Sequence, residues 1–123
     1  MKKRTIEEVK QHYEELKLKK KRTYADRIFM FLYKYGRGGK TWHQVHEYFW
    51  VDDGFKATAT DGGRPIPWQS LGSPIASLVD EGWIISTNWK RPDPITNHPS
   101  VVRLFPADVP KHIWIDPPPD KLL

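Results

Sequence analysis

Residues 68–105 decide the fold of this chain, and they read WQSLGSPIASLVDEGWIISTNW, then a proline-rich break, then SVVRLF. Apolar residues spaced at i, i+4, i+7 and i+8 predict one buried face of a helix. These positions are Leu71, Ile75, Leu78 and Val79. Gly82 follows the last of them, as is typical of the left-handed glycine that ends a helix.

The start of this helix has two possible placements, because Pro74 lacks the backbone N–H that a helix interior needs. Either Ser73 caps a short helix with Pro74 at its first position, or the helix begins near Trp68 and is kinked. Beyond Gly82, residues 83–87 and 101–105 are rich in β-branched and aromatic side chains. They predict two strands that pair as a hairpin.

Three helices are predicted upstream, and each begins at a threonine. Thr5 and Thr41 have Glu8 and Gln44 at the spacing of a capping box, and Thr23 precedes an apolar periodic segment. The helices span about 5–20, 23–35 (ended by Gly36) and 41–49. Their predicted inward residues are Ile6, Val9, Tyr13 and Leu16, then Ile28, Phe31, Leu32 and Tyr35, then Trp42, Val45 and Phe49.

The composition describes one folded domain. The chain has 123 residues, of which 38% are hydrophobic and 13% aromatic, enough to build a core. Since it has no cysteine, disulfides and thiolate metal sites are excluded. No apolar run approaches about 18 residues, and the basic start lacks an apolar signal segment. We therefore expect no contact with a membrane and a cytoplasmic location.

The charge is concentrated at one end of the chain. Residues 1–22 carry nine basic and four acidic side chains, which account for the whole net charge of +5, whereas residues 23–123 carry eleven of each. Attraction for phosphate would come from Lys2, Lys3, Arg4, Lys17, Lys19, Lys20, Lys21 and Arg22. The other interpretation is that the run after Leu16 is only the solvated end of a helix.

The chain divides into three predicted parts: a basic N-terminal helix at 1–22, a main domain at 23–106 and a proline-rich tail at 107–123. The main domain holds an inserted polar loop at 50–67, in which 55–60 is a weak candidate for a strand. Loops longer than about 12–15 residues in a compact domain tend to be functional or mobile.

The succession of helices and hairpin over residues 23–105 resembles the winged helix-turn-helix DNA-binding superfamily. The segment SPIASLVDEGWI is similar to the third helix and first wing strand of small phage and mobile-element members. The resemblance implies an α+β, mainly helical winged helix-turn-helix fold, here with an extra N-terminal helix. It also implies double-stranded DNA as partner and a role as a transcriptional regulator or accessory protein.

The same resemblance implies that the third helix lies in the major groove. The positions that would meet DNA there are Gln69, Ser70, Ser73 and Ser77, with Arg64 just before them. Glutamine can read adenine, whereas for Ser73 and Ser77 the favoured interpretation is a cap and a solvent-facing helix residue. Phosphate contacts would come from Lys90 and Arg91 at the wing tip and from Arg37 and Lys40.

Trp89 supports an alternative function. It lies beside Lys90 and Arg91, and an exposed tryptophan there suits base stacking or a protein interface. The alternative is a winged-helix protein-interaction module, such as a phage inhibitor or adaptor of a host complex. Otherwise Trp89 packs under the wing against the tail. The first helix also allows a homodimer, although its apolar stripe is short for a coiled coil.

The sequence favours a protein without catalytic function, cofactor or metal. His43, His46 and Glu47 form H-x-x-H-E on the third predicted helix, but zinc proteases need histidines at i and i+4 with the glutamate between them. His43 and Glu47 share a face, which leaves only a weak divalent site conceivable. A helix-surface interpretation is favoured.

Overall fold

The computed structural model describes residues 4–91 and 101–108, with the side chains of 87–91, 101–103 and 105 left out. The fold is α+β and mainly helical, as predicted. The elements are α1 (Ile6–Leu18), α2 (Tyr24–Tyr35), α3 (Trp42–Phe49), β1 (Val51–Asp52), β2 (Ala57–Thr58), a 3₁₀ turn (Trp68–Ser70), α4 (Gly72–Asp80), β3 (Ile84–Arg91) and β4 (Val101–Pro106).

The first three helices begin where the sequence predicts, and for the predicted reason. The N-cap hydroxyls of Thr5, Thr23 and Thr41 each accept a hydrogen bond of 3.1 Å from the backbone N–H three residues later. The side chain at that third position accepts from the cap N–H in return, which completes a capping box in all three helices. In α2 this side chain is Asp26, a pairing that the sequence analysis did not single out.

One core joins the four helices to the β3–β4 hairpin. Its fully buried side chains are Val9, Ile28, Phe29, Leu32, Val45, Phe49, Ile66, Leu71, Ile84 and Leu104. Two predicted inward residues are wrong. Ile6 is 63% exposed because it is the first residue of α1, and Tyr35 is 47% exposed because it is the last residue of α2. The Tyr35 ring is tilted against those of Phe31 and Tyr48, with centroids 5.8 and 5.9 Å apart.

Helix α4 resolves the question that Pro74 raised. The 3₁₀ turn at Trp68–Ser70 runs into an α-helix that begins at Gly72, so Ser73 is not the cap. Pro74 is therefore the third helical residue, where an N–H would have no partner within the helix. At the other end, Gly82 has φ 80° as predicted. The N–H groups of Gly82 and Trp83 bond to Val79 and Leu78, which forms a Schellman motif.

The predicted hairpin is present as β3 paired antiparallel with β4. Ile84 lies opposite Pro106 and Arg91 opposite Val101, with an irregularity between Ser86 and Lys90. Lys40, in the turn before α3, exchanges two backbone hydrogen bonds of 2.8 and 2.9 Å with Leu104. This bridge fixes the hairpin to the helical core.

The segment 50–67 is more ordered than the polar loop that the sequence predicts. It contains the β1–β2 hairpin, and only Ala57–Thr58 of the candidate strand at 55–60 pairs. Beyond the hairpin, Ala59 and Ile66 are buried, and the Ile66 N–H donates to the carbonyl of Phe49 at 2.9 Å. The hydrophobic effect therefore holds the second half of the insertion against the core.

Candidate nucleic-acid interface

The basic run after Leu16 divides into residues with partners and residues without them. Lys17 pairs with Glu14 at 2.9 Å, and Lys19 pairs with Asp26 at 2.7 Å. The Lys17–Glu14 pair is exposed, where such pairs contribute little, whereas Asp26 is only 14% exposed and also accepts from the Thr23 N–H. The exposed Lys20 and Lys21 make no ion pair with the described residues.

Arg22 has a structural role that the sequence analysis missed. Its Nε donates to the carbonyl of Leu16 at 2.8 Å, and an Nη donates to that of Lys17 at 3.0 Å. These carbonyls belong to the last turn of α1, where cations compensate the unpaired C=O groups. Arg22 therefore ends α1, and we expect its remaining N–H groups to contribute less to phosphate binding than the sequence analysis implies.

An open cleft brings together cations that are more than 40 residues apart in sequence. The cleft has a volume of about 510 Å³, and its lining includes Lys20, Arg22 and Arg64. The Arg27–Asp61 ion pair also lines it, so four cations face one carboxylate. Because three cations remain uncompensated by carboxylates in the lining, the cleft attracts anions.

Arg27 fixes the position of Arg64 in this cleft. Its guanidinium is only 8% exposed and donates to both oxygens of Asp61 at 2.8 Å, and to the carbonyl of Arg64 at 2.6 Å. Burial raises the pKa of Asp61, but the hydrogen bonds from Arg27 and from the Gly63 N–H outweigh that effect and hold the pKa below its usual value. These three hydrogen bonds, here called the Arg27 clamp, hold a buried guanidinium against the partly exposed Asp61 carboxylate and the Arg64 carbonyl, and Arg64 itself is exposed.

The predicted base-reading side chains lie on the outer side of α4 and its 3₁₀ turn. Gln69, Ser73 and Ser77 are exposed, and Ser70 is half-buried. The Ser77 hydroxyl lies 3.4 Å from a carboxylate oxygen of Glu81, which orients it towards the end of the helix. Since α4 carries no cation, its attraction for DNA must come from neighbouring segments.

The other predicted phosphate contacts are not gathered into the cleft. Arg37 donates to both oxygens of Asp108 at 2.9 and 3.1 Å, and Lys40 enters the bridge with Leu104 through its backbone. The backbone of Lys90 and Arg91 lies on β3. Their side chains, and that of Trp89, fall outside the described residues, as does 109–123. The predicted roles of Trp89, Lys90 and Arg91 therefore stay predictions.

A cluster of aromatic rings, which the sequence analysis did not recognise as a unit, surrounds Trp68. His43 stacks on Trp68 with centroids 4.7 Å apart, His46 meets the ring edgewise at 5.6 Å, and Trp42 is tilted at 6.4 Å. Trp50 stacks on His46 at 6.0 Å. Trp68 remains 43% exposed. The spacing of Trp42 and His46 on α3, with Trp50 directly after the helix, is the signal that would have revealed this cluster.

The histidines of this cluster are explained by their contacts with the tryptophans. Burial, aided by nearby His43, lowers the pKa of His46, which favours the neutral ring against Trp50. The described residues contain no group of three or more His, Cys, Asp or Glu side chains that could share a metal ion. Ring contacts with Trp68 and Trp50 hold His43 and His46, and Glu47 is exposed.

Helix α1 is attached to the domain through Trp83. His12 stacks on Trp83 at 4.1 Å and lies 4.8 Å from Phe29, while the Arg4 guanidinium lies 4.0 Å from the Trp83 ring. Arg4 also donates to the carbonyl of Glu81 at 2.9 Å. These contacts set the direction of α1 and so the position of the basic residues that follow it.

We expect stability to fall with acidification because of His12. Burial lowers the pKa of His12 in the folded state, against the raising effect of Asp26. The unfolded chain therefore binds the proton more readily, and the free energy of unfolding decreases as the pH falls below the unfolded value of about 6.5. Urea denaturation at about pH 7.5 and pH 5.5 should show this loss. His12→Phe, which keeps a ring against Trp83, should lose less; an equal loss would contradict the role of His12.

Comparisons with protein-family models, with curated proteins and with solved structures found no match for this chain. No helix in residues 4–91 and 101–108 has the length and apolar character needed to cross a membrane.

Proposed function

We propose that this chain is a winged-helix protein that binds double-stranded DNA, in the regulatory or accessory role that the sequence resemblance implies. The observation that carries the proposal is the basic cleft, in which Lys20 and Arg22 meet Arg64. The succession of α2, α3, α4 and the β3–β4 hairpin supports it, because a helix with a polar outer side precedes a two-stranded wing.

The cleft and the exposed side of α4 belong to adjoining parts of one segment. Only three residues separate Arg64 from Trp68, and Gln69 follows directly. Phosphates held by Lys20, Lys21 and Arg64 would therefore place a duplex close to the side chains that can read bases. In such an interface the phosphate contacts supply affinity and fix the position of the protein on the duplex, and Gln69 supplies the direct contact with base edges.

The test is the affinity for mixed-sequence duplex DNA across salt concentration, measured by fluorescence anisotropy. Neutralisation of about three phosphates predicts a log–log slope near −3. Changing Lys20, Lys21 and Arg64 together to alanine should weaken binding to all sequences and flatten the slope towards zero, because phosphate contacts do not depend on sequence.

The matched control removes three charges elsewhere, by changing Lys10, Lys34 and Lys56 to alanine. All three are exposed and lie outside the cleft. If the position of the charges matters, this control variant should keep most of the log–log dependence of affinity on salt concentration. Equal losses in both triple variants would mean that only net charge acts. Absence of binding at low salt would reject the proposal and favour a protein partner for the exposed aromatic cluster.

A further inference from the structure

Trp68 is partly exposed, and the rings around it hold its side chain in one orientation, on which a flat ligand could stack. His43 stacks on it, and His46 and Trp42 contact it from α3, yet the ring keeps 43% of its surface open. Such bracing limits the rotamers of the side chain, so little conformational entropy is lost when a ligand stacks on it. An equally exposed but mobile tryptophan would lose more conformational entropy on stacking and would therefore bind a ligand more weakly.

The spacing between Trp68 and the basic cleft is fixed by the segment that joins them. Pro65 and Pro67 restrict the backbone, with Pro67 extended at φ −65° and ψ 152°. Ile66, between them, is fully buried and hydrogen-bonded to Phe49. Four residues span at most about 14 Å of main chain, so the backbone at Arg64 and the backbone at Trp68 lie no more than a few nucleotide lengths apart.

We infer that Trp68 stacks on an unpaired base of a nucleic acid whose backbone lies in the cleft lined by Lys20, Arg22 and Arg64. A positive groove beside an aromatic platform is the combination by which proteins bind single strands, since every base has a stacking face. In a continuous duplex the bases already stack on one another and offer only their edges. This inference rests on the proposed function, because it uses the same cleft, and adds a second mode of binding in which unpaired bases of a single strand or a junction stack on Trp68.

The charges favour nucleic acid over a protein partner at this ring. The cleft at Arg64 holds four cations and one carboxylate, Asp61, which already accepts hydrogen bonds from Arg27. The carboxylates near the aromatic cluster along the chain are Glu47 on α3 and Asp52 and Asp53 on the β1–β2 hairpin, and they do not line the cleft. We therefore expect Phe55, at the tip of that hairpin, not to contact the nucleic acid. Its exposure makes it a useful control instead.

The experiment compares binding of oligo(dT) and of a blunt duplex of the same length, each about 20 nucleotides, at fixed low salt. Trp68→Leu keeps an apolar side chain but removes the stacking ring. It should weaken oligo(dT) binding by about 5- to 150-fold and leave duplex binding within about two-fold. Trp68→Phe keeps an aromatic face and should recover most of the affinity.

Control variants separate stacking from general loss of aromatic surface. Tyr35→Leu and Phe55→Leu remove rings that are 47% and 97% exposed, and neither residue lines the cleft. Both should leave oligo(dT) binding unchanged. Unchanged binding by Trp68→Leu would overturn the inference, as would equal losses for single strand and duplex. Neither of these two results would contradict the proposed function, provided that the Lys20, Lys21 and Arg64 triple-alanine variant still lost its salt-dependent binding of duplex DNA. Absence of binding to both oligonucleotides would overturn both and assign Trp68 to a protein partner.

Discussion

Phe29→Ala is expected to lower the free energy of unfolding by about 3–5 kcal/mol, the range typical of a buried phenylalanine that leaves a cavity. Phe29 is fully buried in α2, and its ring lies 4.8 Å from His12 and 5.9 Å from Trp83. The substitution therefore removes contacts within α2 and also contacts that hold α1 and the start of the hairpin. Urea denaturation followed by tryptophan fluorescence measures the effect.

Phe55→Ala is the matched control, because it removes the same side chain from a position that is 97% exposed. Its effect should stay within about 0.5 kcal/mol, as for most surface substitutions. Equal midpoints for the two variants would mean that Phe29 is not part of the core. A change in the denaturant slope for Phe29→Ala alone would indicate that α1 separates before the rest of the domain unfolds.

Asp61→Ala is the second change with a large expected effect, a loss of about 1–3 kcal/mol, because it leaves donors of the buried Arg27 guanidinium without an acceptor. Without Asp61 the Arg27 guanidinium, only 8% exposed, keeps its bond to the Arg64 carbonyl but loses its counter-charge. A buried charge without its partner costs more than the pair itself contributes. Glu14→Ala, which breaks the exposed pair with Lys17, is the control and should change stability little.

A double variant distinguishes a lost charge pair from a general disturbance of the loop. Combining Arg27→Met with Asp61→Ala removes both charges and keeps much of the buried volume, so it should recover a large part of the stability that Asp61→Ala loses. Asp61→Ala should also weaken DNA binding at temperatures where the domain remains folded, because the clamp positions Arg64. Full affinity in that variant would show that Arg64 finds its place without the clamp.

The wrong predictions of burial share one cause. The periodicity of apolar residues predicts which side of a helix faces the core. It does not predict how much of the length of that helix the neighbouring element covers. Ile6 and Tyr35 lie on the correct faces at the ends of α1 and α2, where the core no longer covers them. Phe29, next to the predicted Ile28, is buried because α1 crosses α2 on that side and brings His12 to it.

The local structure of this chain was determined by its sequence. The threonine caps, the apolar faces of α2 and α4, the left-handed Gly82 and the hairpin after it all follow from interactions between residues about four positions apart or fewer, or from conformational preference. Such interactions leave a direct trace in residue spacing. The α+β, mainly helical fold could therefore be predicted with its helix boundaries close to those observed.

The candidate site was decided by the tertiary structure. Whether a lysine or arginine is available to a ligand depends on the groups that folding places beside it. Folding pairs Lys19 with Asp26 and bonds Arg22 to the last turn of α1. Folding also joins Arg27 to Asp61, 34 positions away, and places Arg64 and Lys20 in the lining of one cleft. It also leaves Trp68 exposed among rings from α3. Electrostatic and stacking contacts act through space, so only the folded chain determines which charges and rings can meet a partner.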